Sequence, residues 1–179
     1  MRKSKFEHIM NQYKDRIYTQ AFYFTGCDQD AEDITQEVFI RLWQHADKID
    51  RSHIYAWLCR VNKNLCIDFS RKKREVSISG TNQDDDRMSY EELIQDSSPN
   101  PEQTLIHKDL YDKVIERLEK LPGKIRMIVI MRDIQDCSYE FIAKSLSIPM
   151  NTVKSYLHRG RKMLARDIQN LKEEYQSEK

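Results

Sequence analysis

Hydrogen-bond donors and positive charges crowd onto one face of the last predicted helix of this chain. From residue 150 to 171, Val153, Leu157, Gly160 and Leu164 recur at steps of four, three and four residues, which identifies the inward face. The outward face carries Asn151, Lys154, Ser155, His158, Arg161 and Lys162, with Arg159 at its flank. Lysine and arginine can donate to guanine O6 and N7, so this face suits the major groove of DNA. The competing interpretation is a solvated basic helix.

The residues before this helix predict its partner in a helix-turn-helix. Ser138 can cap a helix over Tyr139–Leu146, and the stretch 147–149 breaks that helix before the last one begins at residue 150 or 151. Ala143 provides a small side chain where two helices cross closely. The predicted shared core consists of Ile142, Leu146, Ile148, Val153 and Leu157.

A second polar face, of opposite charge, belongs to a helix predicted from Asp28 to His45. Asp28 and Asp30 follow Gly26, an order that favours a helix beginning there. The apolar stripe, predicted to be buried, consists of Ala31, Ile34, Val38, Phe39, Leu42 and Trp43. The outward face carries Glu32, Asp33, Gln36 and Glu37. By themselves these four residues are compatible with a merely solvated acidic face.

Hydrophobic periodicity predicts an all-α protein made of two small helical domains. Residues 1–75 should form a three- to four-helix bundle, with helices over 6–25, 28–45 and 53–71. Residues 102–175 should form a four-helix domain that contains the helix-turn-helix, with Pro122 in the first turn of its second helix.

The segment between these domains has a different composition. Residues 76–101 are rich in Ser, Asp, Asn and Gln, and their acidic residues outweigh the single Arg87. Unstructured stretches of this length are uncommon inside one compact domain. We therefore expect an acidic, flexible linker, in which 90–94 could form a helical turn.

Composition excludes several classes of protein. The longest apolar block, 127–131, is far too short to span a bilayer, and the polar residues 1–8 do not form a signal peptide. We therefore expect no membrane insertion and a cytoplasmic location in a bacterium. The four cysteines are scattered, without Cys-x-x-Cys pairs or histidines at ligand spacing. We predict no catalytic residues, no metal site and no cofactor, and hence no enzyme.

The segment 30–43, Asp-Ala-Glu-Asp-Ile-Thr-Gln-Glu-Val-Phe-Ile-Arg-Leu-Trp, closely resembles region 2.2 of bacterial sigma factors of the extracytoplasmic-function (ECF) class. In that family the acidic face docks on a coiled coil of the RNA polymerase beta-prime subunit. The resemblance implies that Asp33, Gln36 and Glu37, with Glu32 beside them, bind core polymerase.

The run 57–68 resembles regions 2.3 and 2.4 of the same class, which read unstacked bases of the promoter's −10 element. The resemblance implies that Asn64 and the loop 48–53 hold a flipped base. It assigns phosphate contacts to Arg60, Lys63, Arg71, Lys72, Lys73 and Arg74. For Trp57 we favour packing in the core, and a merely solvated basic end remains open for 71–74.

The run 139–161 resembles region 4 of these sigma factors, which binds the −35 element as duplex. The residues at matching positions are Asn151, Lys154, Ser155, His158 and Arg159, with Arg161 expected on phosphate. Four residues depart from the family pattern: Ser147, Asn151, Tyr156 and Gly160. Tyr156 replaces a common arginine, which bears on the promoter sequence rather than on the binding mode.

Together these resemblances imply a transcription initiation factor. Its partners would be the beta-prime and beta subunits of core RNA polymerase, promoter DNA and an anti-sigma factor. The alternative is a stand-alone helix-turn-helix DNA-binding regulator, which would not need the 30–43 pattern. A further alternative, a protein that only docks on polymerase, leaves the basic face of the last helix unused.

Overall fold

A computed structural model describes residues 3–78 and 111–177, with side chains described at 3–50, 52–75 and 111–167. Within those ranges all regular secondary structure is helical. Residues 79–101 of the predicted linker lie outside the described part of the chain. The possible helical turn at 90–94 lies there too. The described part confirms the all-α prediction.

The N-terminal domain consists of three long helices: α1 (Lys3–Thr25), α2 (Asp28–His45) and α3 (Ile54–Ile78). A short 3-10 helix, Arg51–His53, leads into α3, which continues seven residues past the predicted end at 71. Gly26 ends α1, since its φ of +71° is left-handed and its N–H donates to the Phe22 carbonyl at 2.8 Å.

In the described residues 111–177, the C-terminal domain shows four helices. The described part of α4 is helical at 111–119. It is followed by α5 (Gly123–Val129), which continues into a π-helical turn at Ile130–Ile134, then by α6 (Tyr139–Leu146) and α7 (Met150–Ser177). Pro122 directly precedes the first residue of α5 instead of lying within its first turn.

The helix-turn-helix forms at its predicted place. The Ser138 hydroxyl accepts a hydrogen bond of 3.1 Å from the Phe141 N–H, which confirms the predicted cap of α6. Ser147 takes a left-handed conformation, with φ of +55°, where the family pattern has glycine. The turn therefore keeps its backbone shape without the residue that adopts it most easily.

The two domains share one continuous hydrophobic core. Buried side chains from α1, α2 and α3 form a single cluster with those from α5, α6 and α7. Close approach of α5 and α7 depends on Gly160, where an added Cβ would lie 2.8 Å from methyl groups of Ile125 and Val129. The domains also touch at Gly26, where an added Cβ would lie 2.7 Å from Ile115 of α4.

None of the helices in the described ranges has the length and apolar character required to cross a membrane.

Candidate docking and nucleic-acid surfaces

The acidic face of α2, defined by Glu32, Asp33, Gln36 and Glu37, points away from the core. The first three of these residues are exposed, and Glu37 is half-buried. Glu37 accepts a hydrogen bond of 2.7 Å from Nε of Arg41, one turn further along the helix. The opposite side of α2 is anchored by Val38 and Leu42, both fully buried. The helix therefore presents carboxylates and an amide on a rigid support.

Two apolar side chains extend this face toward the end of α2. Ile40 is 50% exposed and Trp43 is 49% exposed. The prediction that Trp43 belongs to the buried stripe was wrong. Its indole makes a T-shaped contact with the Phe6 ring, at 5.2 Å between ring centres and 81° between planes. Ile40 and Trp43 follow Gln36 by four and seven residues, a spacing that could have revealed this extension.

The predicted −10 residues on α3 do not share one environment. Asn64 and Arg71–Arg74 are exposed, and Lys63 is half-buried. Burial, followed by the positive charges of Lys124 and Arg60, lowers the pKa of Lys63. Arg60 is exposed over part of its surface, but its Nε donates to the Ser145 carbonyl at 3.0 Å and its Nη2 to the Lys144 carbonyl at 3.2 Å. Arg60 thus contacts the C-terminal domain.

The loop predicted to hold a flipped base is ordered by Asp50. Its carboxylate accepts from the Ser52 N–H at 3.1 Å and lies 3.1 Å from the His53 ring nitrogen. Hydrogen bonds from the Ser52 backbone and hydroxyl, and then from His53, lower the pKa of Asp50. Trp57, nearby on α3, is half-buried and packs against the core, as we predicted for it.

The outward face of α7, which we call the recognition face, is exposed throughout. It consists of Asn151, Lys154, Ser155, His158, Arg159, Arg161 and Lys162. Val153, Leu157 and Gly160 on the other side are buried against α5 and α6, as their spacing predicted. Arg161 is ion-paired with Asp133, and this hydrogen-bonded contact raises the pKa of Arg161. Part of its donor capacity is therefore already used.

Among the described residues, no group of three or more histidine, cysteine, aspartate or glutamate side chains is arranged to hold a metal ion.

Two known protein families match the parts of the chain that carry these surfaces. Residues 9–76 match the family Sigma-70 region 2, and residues 111–164 match the family Sigma-70, region 4. The first match contains the acidic face and α3, and the second contains the helix-turn-helix.

Two curated proteins illustrate the similarity over the length of the chain. The ECF RNA polymerase sigma factor SigW of Bacillus subtilis is 33% identical over 172 residues, which cover 93% of this chain and 90% of SigW. The ECF RNA polymerase sigma factor SigE of Mycolicibacterium smegmatis is 34% identical over 158 residues, which cover 88% of this chain. The matched part spans 59% of the length of SigE.

A solved structure shares the fold. The sigma factor RpoE of Bartonella quintana, in complex with the anti-sigma factor NepR, matches with a TM-score of 0.68 and 21% identity over 92% of this chain and 97% of that chain. This likeness confirms the helical architecture. The chain belongs to the extracytoplasmic-function class of RNA polymerase sigma factors.

Proposed function

We propose that this sigma factor binds core RNA polymerase through α2 and promoter DNA through α3 and α7. It directs polymerase to specific promoters by contacting −35 duplex and melted −10 DNA. The observation that carries the proposal is that the acidic face and the recognition face are both open to solvent, on helices whose other sides are buried. Faces so exposed on rigid supports are suited to partners.

The acidic face is the proposed contact with the beta-prime subunit. Asp33, Gln36 and Glu37 supply acceptors and one amide, with Glu32 beside them, while Ile40 and Trp43 supply exposed apolar area at the end of the same face. Interfaces commonly combine a buried aromatic anchor with a polar rim. We therefore add Trp43 to the docking residues that the sequence indicated. A contact with the beta subunit is also proposed, without an assignment to residues.

The recognition face is the proposed reader of −35 duplex. Arg159 is the best placed arginine for a base edge, because Arg161 already shares its donors with Asp133. Lys154, Ser155 and His158 lie one turn or less away on the same exposed face, and Asn151 lies at its start. Arginine and lysine pair best with guanine, so promoters with guanine in this element are favoured.

The −10 element is the proposed ligand of α3. Asn64 would contact an unstacked base, and Lys63 with Arg71–Arg74 would follow the phosphates. Arg60 would also contact phosphate once its guanidinium no longer donates hydrogen bonds to the α6 carbonyls. We propose no catalytic activity of the chain's own, a cytoplasmic location in a bacterium, and an anti-sigma factor as a further partner. The fold shared with RpoE, solved with its anti-sigma factor, supports that last proposal.

Reconstituted transcription tests the proposed function. Purified core polymerase, the chain and genomic DNA of the source organism are incubated together, and RNA start sites are mapped. We expect discrete start sites preceded by a shared pair of elements, only when both proteins are present. A stand-alone regulator would instead occupy duplex sites tightly without polymerase and produce no start sites, which would contradict the proposal.

A further inference from the structure

One arginine of the recognition face is paired with a carboxylate from another element. Nε of Arg161 donates to Oδ2 of Asp133 at 3.2 Å, and Nη2 of Arg161 donates to the other oxygen of the same carboxylate. Two parallel hydrogen bonds fix both the position and the plane of a guanidinium. Within the described part of the chain, Lys154, Arg159 and Lys162 of the same face have no ion pair. Arg161 therefore differs from these three cations in its charge environment.

Asp133 belongs to the π-helical turn at Ile130–Ile134 that follows α5. Ile130 and Met131 of this turn are fully buried, so the turn is fixed to the core. Its exposed side is held by Arg132, whose Nη1 donates to Oδ1 of Asp136 at 2.9 Å. The Asp133 carboxylate is thus presented to α7 from a firmly held backbone. Single π-helical turns within α-helices are frequent at functional sites.

The packing of α7 on α5 brings Arg161 within reach of this turn. Gly160, directly before Arg161, lies so close to α5 that an added Cβ would be 2.8 Å from methyl groups of Ile125 and Val129. The pair nevertheless stays at the surface, since the Arg161 side chain is 52% exposed and that of Asp133 is 32% exposed. Asp133 thus acts on an arginine that DNA can still meet.

Pairing changes what Arg161 can contribute to DNA binding. A guanidinium has five N–H donors, and Asp133 accepts from two of its nitrogens, so donors remain for a phosphate. At longer range the opposite charges of the pair cancel, so the pair adds little to the sequence-independent attraction of DNA, which is electrostatic. The remaining donors act only at hydrogen-bond distance, which requires that α7 be seated in the groove. Among sequences that seat α7, Arg161 contributes alike, because a phosphate contact reads no base.

We propose that Asp133 is a specificity-determining residue of the recognition face, because it lets Arg161 add to binding only when α7 is seated on its element. Asp133 acts through Arg161 and is therefore a positioning residue. This inference rests on the proposed −35 role of the recognition face. Without Asp133, Arg161 would behave as a free surface arginine and would attract phosphates of any sequence.

The test uses holoenzyme reconstituted from the full chain and core polymerase. Two DNA fragments are compared: a promoter found by start-site mapping, and the same fragment with a scrambled −35 element. Fluorescence anisotropy measures the affinity for each fragment over a series of salt concentrations. The variant Asp133→Asn removes the charge and keeps the shape of the side chain. The control is Asp136→Asn, which makes the same change at a side chain that is 93% exposed and paired with Arg132.

We expect Asp133→Asn to bind the scrambled fragment about threefold more tightly than wild type, an effect typical of one exposed ion pair. On this fragment the slope of log K against log salt should steepen by about 0.9, as for one additional phosphate contact. Affinity for the promoter should be nearly unchanged, because Arg161 already contacts phosphate when α7 is seated. Discrimination between the two fragments should therefore fall about threefold, while Asp136→Asn should match wild type.

Two further variants test whether Asp133 acts through Arg161. In an Arg161→Ala background, Asp133→Asn should change neither discrimination nor the salt slope, because the two residues act as one unit. Arg161→Lys leaves Asp133 in place but replaces the planar fork by a compact charge, which cannot make the paired contact. This variant should reduce discrimination in the same direction. It provides an independent reading should circular dichroism show that Asp133→Asn loses helix content.

Three results would overturn the role of Asp133. The first is discrimination equal to that of wild type for both Asp133→Asn and Arg161→Lys. The second is an equal effect of Asp136→Asn, and the third is an effect of Asp133→Asn that persists in the Arg161→Ala background. Failure of the proposed function is a separate observation, because it appears as missing start sites with wild-type chain and core polymerase.

Discussion

The Nη1 of Arg126 donates a hydrogen bond of 2.7 Å to the main-chain carbonyl of Phe24, which joins α5 to the end of α1. The same guanidinium donates to the carbonyls of Glu119 and Leu121 and lies over the Phe24 ring, 4.8 Å from its centre. Arg126 is 8% exposed, and burial lowers its pKa. A buried cation thus ties the two domains through backbone oxygens.

Replacing Arg126 by methionine should lower the free energy of unfolding by about 2–4 kcal/mol. The reason is that each buried carbonyl left without a hydrogen-bond donor costs about 1–3 kcal/mol. Urea denaturation followed by circular dichroism measures this loss. The control is Arg41→Met, which removes an ion pair whose partners are both 42% exposed and should cost at most about 1 kcal/mol. Equal losses for the two variants would contradict the structural role of Arg126.

Changing Asp33 and Gln36 together to alanine should weaken binding to core polymerase at least tenfold, by about 1.4 kcal/mol or more. The reason is that the acidic face loses a charge and an amide at its centre. Titration of fluorescently labelled chain with core polymerase measures the affinity. Gln12 and Asp15, exposed on α1 and also three residues apart, provide a matched double-alanine control. The docking proposal fails if both double variants bind like wild type.

Trp43→Ala should also weaken core binding, by about 2 kcal/mol, if the indole becomes a buried anchor in the complex. Stability should fall less, by about 1 kcal/mol, since the indole is 49% exposed and its ring contact with Phe6 is T-shaped. Core affinity and urea denaturation of the same variant separate these effects. Loss of stability without loss of affinity would restrict Trp43 to a packing role.

Arg159→Ala should cost about 1–3 kcal/mol in promoter binding and relax the preference at one −35 position, as expected for a base contact. Arg161→Ala should instead weaken all sequences alike and by less, because Asp133 already occupies part of that guanidinium. Selection of randomised −35 duplexes by the reconstituted holoenzyme reports both effects. A uniform loss for Arg159→Ala would assign Arg159 to phosphate.

The thiols should react unequally with iodoacetamide at pH 8. Burial raises the pKa of Cys59 to about 12 and also raises the pKa of Cys66 and Cys137, so these thiols stay protonated and unreactive. Cys27 is half-buried and should be labelled first. Mass spectrometry of timed samples measures each rate, and all four should react quickly in urea. Equal rates in the native chain would contradict the buried core between the domains.

Local sequence determined the helices and their faces. The predicted bounds of α6, its Ser138 cap and the exposed side of α7 all appear in the structure, because capping and a 3.6-residue period depend on neighbours within a few positions. The acidic face of α2 followed from the same period. The resemblance to sigma factors rested on ordered motifs of this local kind.

Tertiary structure decided what those faces meet. Trp43 has an apolar side chain at a position whose spacing predicted burial, yet it remains half exposed beside Phe6 of α1. Arg60 looked like a free phosphate contact, but it meets Ser145, which lies 85 residues away along the chain. A contact over that separation depends on how two domains pack together, and no local period in the sequence encodes that packing.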